Sequence, residues 1–228
     1  MMYRKINNIN EISVSRKIYI PLVYIYTIKV YNIMITNNEK KVLKMLLYAF
    51  EKSYSINKIA RDCDLAPNGA LKILRKFEKE GILEFENIGN IKSYQLNFEN
   101  EKTKNILKLA LIPEITGRIK FRAEDLSPLR KLASVGIIFG SYTNMKKEPN
   151  DIDLFLIISN NEFNNYKKET SQIYKTIPIK VHDVIQTKKD VIENLRKKDE
   201  VIIEILKTGI ILWGYDEIIN IIENGYKR

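Results

Sequence analysis

Two short apolar runs, separated by a polar gap that opens on glycine, constrain this chain most. The first is Val135-Gly136-Ile137-Ile138-Phe139 and the second Leu154-Phe155-Leu156-Ile157-Ile158. Unbroken apolar runs of this length read as buried strands. Gly140-Ser141 closes the first run, and Asp151-Ile152-Asp153 opens the second. Residues two apart on a strand project to one side, so Asp151 and Asp153 share a face while Ile152 turns into the core. Two carboxylates held side by side repel each other and favour a divalent cation between them. Gly140 lets a backbone approach a phosphate closely, and Ser141 adds a hydroxyl donor. If a helix begins after them, its first amides also point at the anion. The bland alternative for an isolated Asp-x-Asp is a strand end dipping into water.

Composition narrows the ion and the partner. The chain holds one cysteine, Cys63, and one histidine, His182. That rules out an intramolecular disulfide and a histidine-rich metal site, and argues against a cysteine-based zinc site. A metal here sits on carboxylates, which points to magnesium or manganese. The lack of disulfides fits a cytoplasmic home. Lys and Arg number 38 against 28 Asp and Glu, a net charge of +10. Such a surplus suits DNA, RNA, a nucleotide or an acidic protein; a lysine-rich surface kept for solubility is the alternative.

Residues 1–35 form an extension of uncertain status. The stretch Ile18 to Ile35, IYIPLVYIYTIKVYNIMI, is too short and too interrupted by Lys29 to span a bilayer comfortably. No membrane association is expected. Alternation around Tyr24, Tyr26 and Ile28 suits a strand. Met34 directly precedes a regular domain, and translation starting there is the expectation.

From Thr36 the pattern is helical. Val42, Leu43, Leu46, Leu47 and Phe50 recur at helical spacing. A second helix opens near Ser55, and a third follows Pro67, burying Ala70, Leu71, Leu74 and Phe77 and stopping at Gly81. Strands Ile82 to Ile88 and Ile91 to Leu96 flank Gly89-Asn90, a type II′ turn with glycine first. Three helices and a hairpin over residues 36–98 resemble the winged helix-turn-helix family. The resemblance implies that the third helix recognises DNA, with Asn68, Lys72, Arg75 and Lys79 as its exposed stripe and Lys76 beside it. Such residues contact phosphates and purine edges. Lys92 lies where a wing touches the backbone. The alternative is that this stripe is a solvated face and the domain packs against protein.

Residues 99–125 read as a connecting helix, Glu101 to Leu111, ended by Pro113 and followed by a polar, basic linker from Thr116 to Asp125. Residues 126–228 carry the second domain, beginning with a helix near Ser127 to Leu132. A strand Ile179 to Ile185, helices at Lys188–Lys197 and Glu200–Lys207, and a closing run with Trp213 as core follow.

The segment FGSYTNMKKEPNDIDLFLII resembles the DNA polymerase β-like nucleotidyltransferases, closest to their minimal branch: a strand, Gly-Ser, a variable loop, then Asp-x-Asp on the next strand. It departs from that pattern with Met145 where many members have glycine and Asn150 where they have serine. The loop is also about a residue short. The resemblance implies an α+β fold with a small mixed sheet flanked by helices. It implies that Asp151 and Asp153 hold magnesium or manganese on ATP or another nucleoside triphosphate, and that Gly140 and Ser141 orient the β- and γ-phosphates. Lys146 and Lys147 touch the triphosphate or are simply solvated. A third carboxylate from a neighbouring strand activates the attacking hydroxyl in such enzymes. Asp183 takes that position as third metal ligand and base, with His182 facing away. Minimal members often act as antitoxins that transfer AMP to a toxin protein, so a protein acceptor is implied. Two rivals stay open: transfer to a small molecule, and a non-catalytic DNA-binding regulator whose degenerate transferase fold is a nucleotide sensor or dimerisation module. Homodimerisation through the winged helix is likewise open.

Overall fold

The computed structural model describes residues 35–49, 54–144 and 148–226. The strand and start-site expectations for residues 1–34, Phe50 as a core residue, and Met145, Lys146 and Lys147 lie outside the described residues.

Helix α1 (Asn37–Leu47) opens on a reciprocal cap. The Glu39 amide donates to Thr36 Oγ1, and the Thr36 amide donates to the Glu39 carboxylate. Helix α2 (Ile56–Asp62) is capped by Ser55, and α3 (Pro67–Lys79) starts on Pro67, whose missing N–H has no partner to lose there. Strands β1 (Leu83–Ile88) and β2 (Ile91–Leu96) pair antiparallel, with Ile88 opposite Ile91. Gly89 takes a positive φ of 61° and Asn90 does not, the pattern of a II′ turn. Three helices followed by this hairpin make a winged helix.

Helix α4 (Glu101–Leu111) buries Leu107, Ala110 and Leu111. The residues expected as a linker instead form helix α5 (Gly117–Asp125). Its sequence looks polar because Ile119 is its one fully buried side chain, too little to show as a period. The helix expected near Ser127 is a 3-10 turn, Ser127–Lys131, anchored by Leu129.

A four-stranded mixed sheet follows: β3 (Ala133–Phe139), β4 (Asp151–Ile158), β5 (Lys180–Gln186) and β6 (Ile210–Trp213), in the order β5-β4-β3-β6. β3 runs antiparallel to β4 and β6, while β4 and β5 are parallel. A parallel pair needs a crossover, which α6 (Phe163–Lys175) supplies. Helices α7 (Lys188–Arg196), α8 (Glu200–Thr208) and α9 (Tyr215–Tyr226) complete the fold.

Strand parity sorts the sheet's two faces. Ile152, Leu154, Leu156 and Ile158 pack with Ile119, Leu129 and Tyr166. Phe155 and Ile157, with Val135 and Ile137, pack with Leu195, Ile205 and Ile218. That second interior continues without a break into the winged helix, through Leu107, Leu111, Leu43 and Leu47. Complete burial of each such aliphatic side chain stabilises the fold by about 1.5–3 kcal/mol. Trp213 closes the sheet: its ring covers Gly136, where an added Cβ would lie 2.4 Å away, and its Nε1 donates to the Ala133 carbonyl at 2.9 Å.

Candidate functional site

The site forms where β3 ends and β4 begins. Phe139 pairs with Asp153, so the chain leaves β3 directly against that carboxylate. Gly140 makes the exit at φ +67°, and a Cβ built there would sit 2.3 Å from Asp153 Oδ2. Only glycine permits both the backbone conformation and the close approach. The chain then makes a 3-10 turn, Gly140–Thr143, closed by Thr143 Oγ1 donating to the Gly140 carbonyl at 2.9 Å. Ser141 lies exposed on it. The turn is too short to act as an α-helix N-terminus, so the oriented amides of a longer helix are not part of this site.

Asp151 and Asp153 are half-buried on one face of β4, with Ile152 fully buried on the other. The parallel register decides what stands beside them. Asp153 is opposite His182, and Leu154 is opposite Asp183. Paired residues share a face, so the expectation for β5 is reversed. His182 joins the carboxylates, its Nδ1 lying 3.3 Å from Asp151 Oδ2. Asp183 projects from the other side of the sheet. There it accepts hydrogen bonds from the hydroxyls of Tyr166 and Tyr174 on α6, the latter at 3.2 Å. Burial, and then the hydrogen bond to Asp183, hold the Tyr166 hydroxyl far above the ordinary tyrosine range. Asp183 therefore anchors α6 and does not meet the carboxylate pair.

One ligand atom from each of Asp151, Asp153 and His182 can be chosen so that all lie within 4.8 Å of one another. Burial raises the Asp153 carboxyl above its ordinary value, the Asp151 charge pushes it further, and His182 opposes the shift. A carboxylate in that setting gains from a cation. The donor set, two carboxylates and an imidazole, fits a divalent ion.

Sequence reasoning missed the contribution of α5. Arg118 stacks over the Tyr142 ring at 5.1 Å and donates to the Asn144 carbonyl, and it lies 3.9 Å from Glu148. One guanidinium thus braces the turn that follows Ser141. Arg122, one helical turn on, pairs with Asp125 at 3.0 Å. The spacing of Arg118 and Arg122 was the available signal.

On the winged helix, Asn68, Lys72, Arg75 and Lys79 lie exposed along α3. The other two candidates are engaged. Lys76 Nζ sits 2.7 Å from a Glu39 oxygen, and Lys92 Nζ sits 2.9 Å from Glu78 and 3.5 Å over the Phe85 ring. Glu84 and Glu86 are exposed on the same hairpin, which makes the wing acidic where a DNA backbone would be repelled.

Residues 130–218 match the family model for polymerase beta nucleotidyltransferases, a segment running from the turn before β3 into α9. No curated protein matches the chain. Among solved structures it is similar to MepR, a transcription regulator of the Staphylococcus aureus multidrug efflux pump MepA. The identity is 13% over 70% of this chain and 96% of that one, with a TM-score of 0.33. It is also similar to human N-acetylserotonin methyltransferase, at 15% identity over 48% of this chain and 33% of that one, with a TM-score of 0.28. Likenesses this loose do not bear on function. Among the described residues no helix is long and apolar enough to cross a membrane.

Proposed function

Because residues 130–218 carry a polymerase beta-type nucleotidyltransferase domain, we propose that the chain transfers AMP from ATP to a hydroxyl group of a partner protein in the cytoplasm. We further propose that it binds DNA through the exposed stripe of α3. The observation that carries the first reading is the seating of Gly140 against Asp153, with the donor atoms of Asp151 and His182 alongside. In this reading the Gly140 backbone and the Ser141 hydroxyl hold the β- and γ-phosphates. Asp151 and Asp153 hold a divalent ion, magnesium or manganese, which when bound neutralises charge on the triphosphate. The acceptor oxygen bonds to the α-phosphorus and gives up its hydroxyl proton to solvent water, as the bond from that phosphorus to the bridging oxygen breaks and pyrophosphate leaves with the electron pair. Arg118 keeps the turn in place during transfer. Asp183 has no part, since the tyrosines of α6 hold it on the far face. The protein acceptor rests on the resemblance to minimal nucleotidyltransferases that act as antitoxins.

The test is incubation of the full chain with ATP labelled at the α-phosphate and the products of its neighbouring genes. Label on a protein, lost in Asp151→Ala with Asp153→Ala, supports the reading. Absence of ATP binding in calorimetry with either ion would overturn it. The second reading, a DNA-binding regulator that senses nucleotide without turnover, is favoured by the absence of a third acid beside the pair among the described residues. Tight ATP binding with no label transfer to any acceptor supports that alternative.

A further inference from the structure

We infer that His182 is a direct ligand of the divalent ion and tunes the site toward manganese over magnesium. The inference rests on the reading of Asp151 and Asp153 as an ion site, and it concerns what the third donor does there. Three observations support it. The β4–β5 register puts His182 beside Asp153. Its Nδ1 is 3.3 Å from Asp151 Oδ2. The three donor atoms lie within 4.8 Å of one another. Ligands about 2.1 Å from an ion stand roughly 3–4 Å apart, so small rotations of these side chains close the set. His182 is also accessible, with 46% of its side chain exposed, so an ion reaches it from solvent.

The chemistry of the third donor sets the preference. Magnesium binds oxygen, demands near-ideal octahedral geometry and keeps its waters. Imidazole nitrogen is a softer donor that favours transition ions. A third carboxylate would add negative charge for a hard ion; His182 instead adds a neutral nitrogen. The site therefore keeps two carboxylates for charge and gains selectivity from one nitrogen.

The composition of the chain makes the test direct. His182 is its only histidine, so any imidazole nitrogen bound to an ion belongs to that residue. The full chain, without nucleotide, is titrated with manganese and followed by electron paramagnetic resonance. Magnesium then competes for the site. Pulsed spectra of the manganese complex are expected to show modulation from a directly bonded imidazole nitrogen. The variant His182→Asp is expected to lose that modulation and to lower the manganese-to-magnesium affinity ratio about tenfold or more. Asp183→Asn, on the far face, is expected to leave both unchanged. A manganese complex of the unaltered chain without nitrogen modulation overturns the inference, however the variants fold. So does an affinity ratio unchanged in a folded His182→Asp. Neither readout needs nucleotide, so nitrogen modulation without label transfer sinks the transferase reading and leaves this inference standing.

Discussion

Replacing Gly140 by alanine separates two costs that usually arrive together. Gly140 has φ +67°, and the left-handed region costs a residue with a Cβ about 1–2 kcal/mol. Gly89 also has a positive φ, +61°, so alanine is strained there as well. The surroundings differ. A Cβ at position 89 meets nothing within 4 Å, whereas at position 140 it lies 2.3 Å from Asp153 Oδ2. An ordinary separation is about 3.5 Å, so the Asp153 carboxylate must retreat by about 1 Å. Metal sites tolerate distance errors of only about 0.2 Å. Gly140→Ala is therefore expected to weaken manganese binding by about tenfold or more. Gly89→Ala is expected to bind manganese normally while also losing stability in urea melts. The two variants are compared by spin-resonance titration and by unfolding midpoints. Unimpaired manganese binding by folded Gly140→Ala, or equal loss in Gly89→Ala, would refute the reasoning.

Three further outcomes follow from the same geometry. The raised Asp153 carboxyl means the folded state holds that proton more tightly than the unfolded chain, so stability falls as pH rises above the ordinary value of 3.8. Asp153→Asn is accordingly expected to melt higher than the unaltered, metal-free chain at neutral pH, with the gain shrinking toward acid; an unchanged or lower melting point at neutral pH counts against the burial argument. Arg118→Ala removes the brace on Tyr142 and Asn144 and is expected to weaken ATP binding in calorimetry by about 1 kcal/mol; unaltered affinity would show that the turn stands without it. On DNA, alanine at Lys72, Arg75 and Lys79 is expected to flatten the salt dependence of binding, by about 0.9 in log–log slope for each phosphate no longer neutralised. Alanine at Lys76 or Lys92, already held by Glu39 and Glu78, is expected to change it less, and equal slopes for the two groups would discard the assignment of the stripe.

The strands that position the carboxylates were legible because their information is local. Ile137, Ile138, Leu154 and Leu156 form unbroken apolar runs, and parity alone puts Asp151 and Asp153 together and Ile152 behind them. The identity of their neighbour was not local. Whether His182 or Asp183 faces the pair depends on the register of β5 against β4, which a crossover helix sets, and a shift of one residue exchanges them. Helix α5 was hidden for a related reason. Arg118 and Arg122 read as solvated linker until Tyr142, distant in sequence, is seen beneath the first of them. The winged helix showed clearly in its apolar spacing and caps, but the pairing of Lys76 and Lys92 with acids on other elements carries no sequence signature.

Helix α4 has a consequence for how this chain can be divided. It lies between α1 on one side and α9 on the other. Lys108 pairs with Asp216, and Lys104 with Glu223 at 2.7 Å. Cutting the chain beyond α4 would strip α9 of its cover, and cutting before it would open α1 to water. The two halves are therefore not beads that recombination could trade freely among other proteins. They are grafted through a common beam, so a change that loosens this helix is felt on both sides of it.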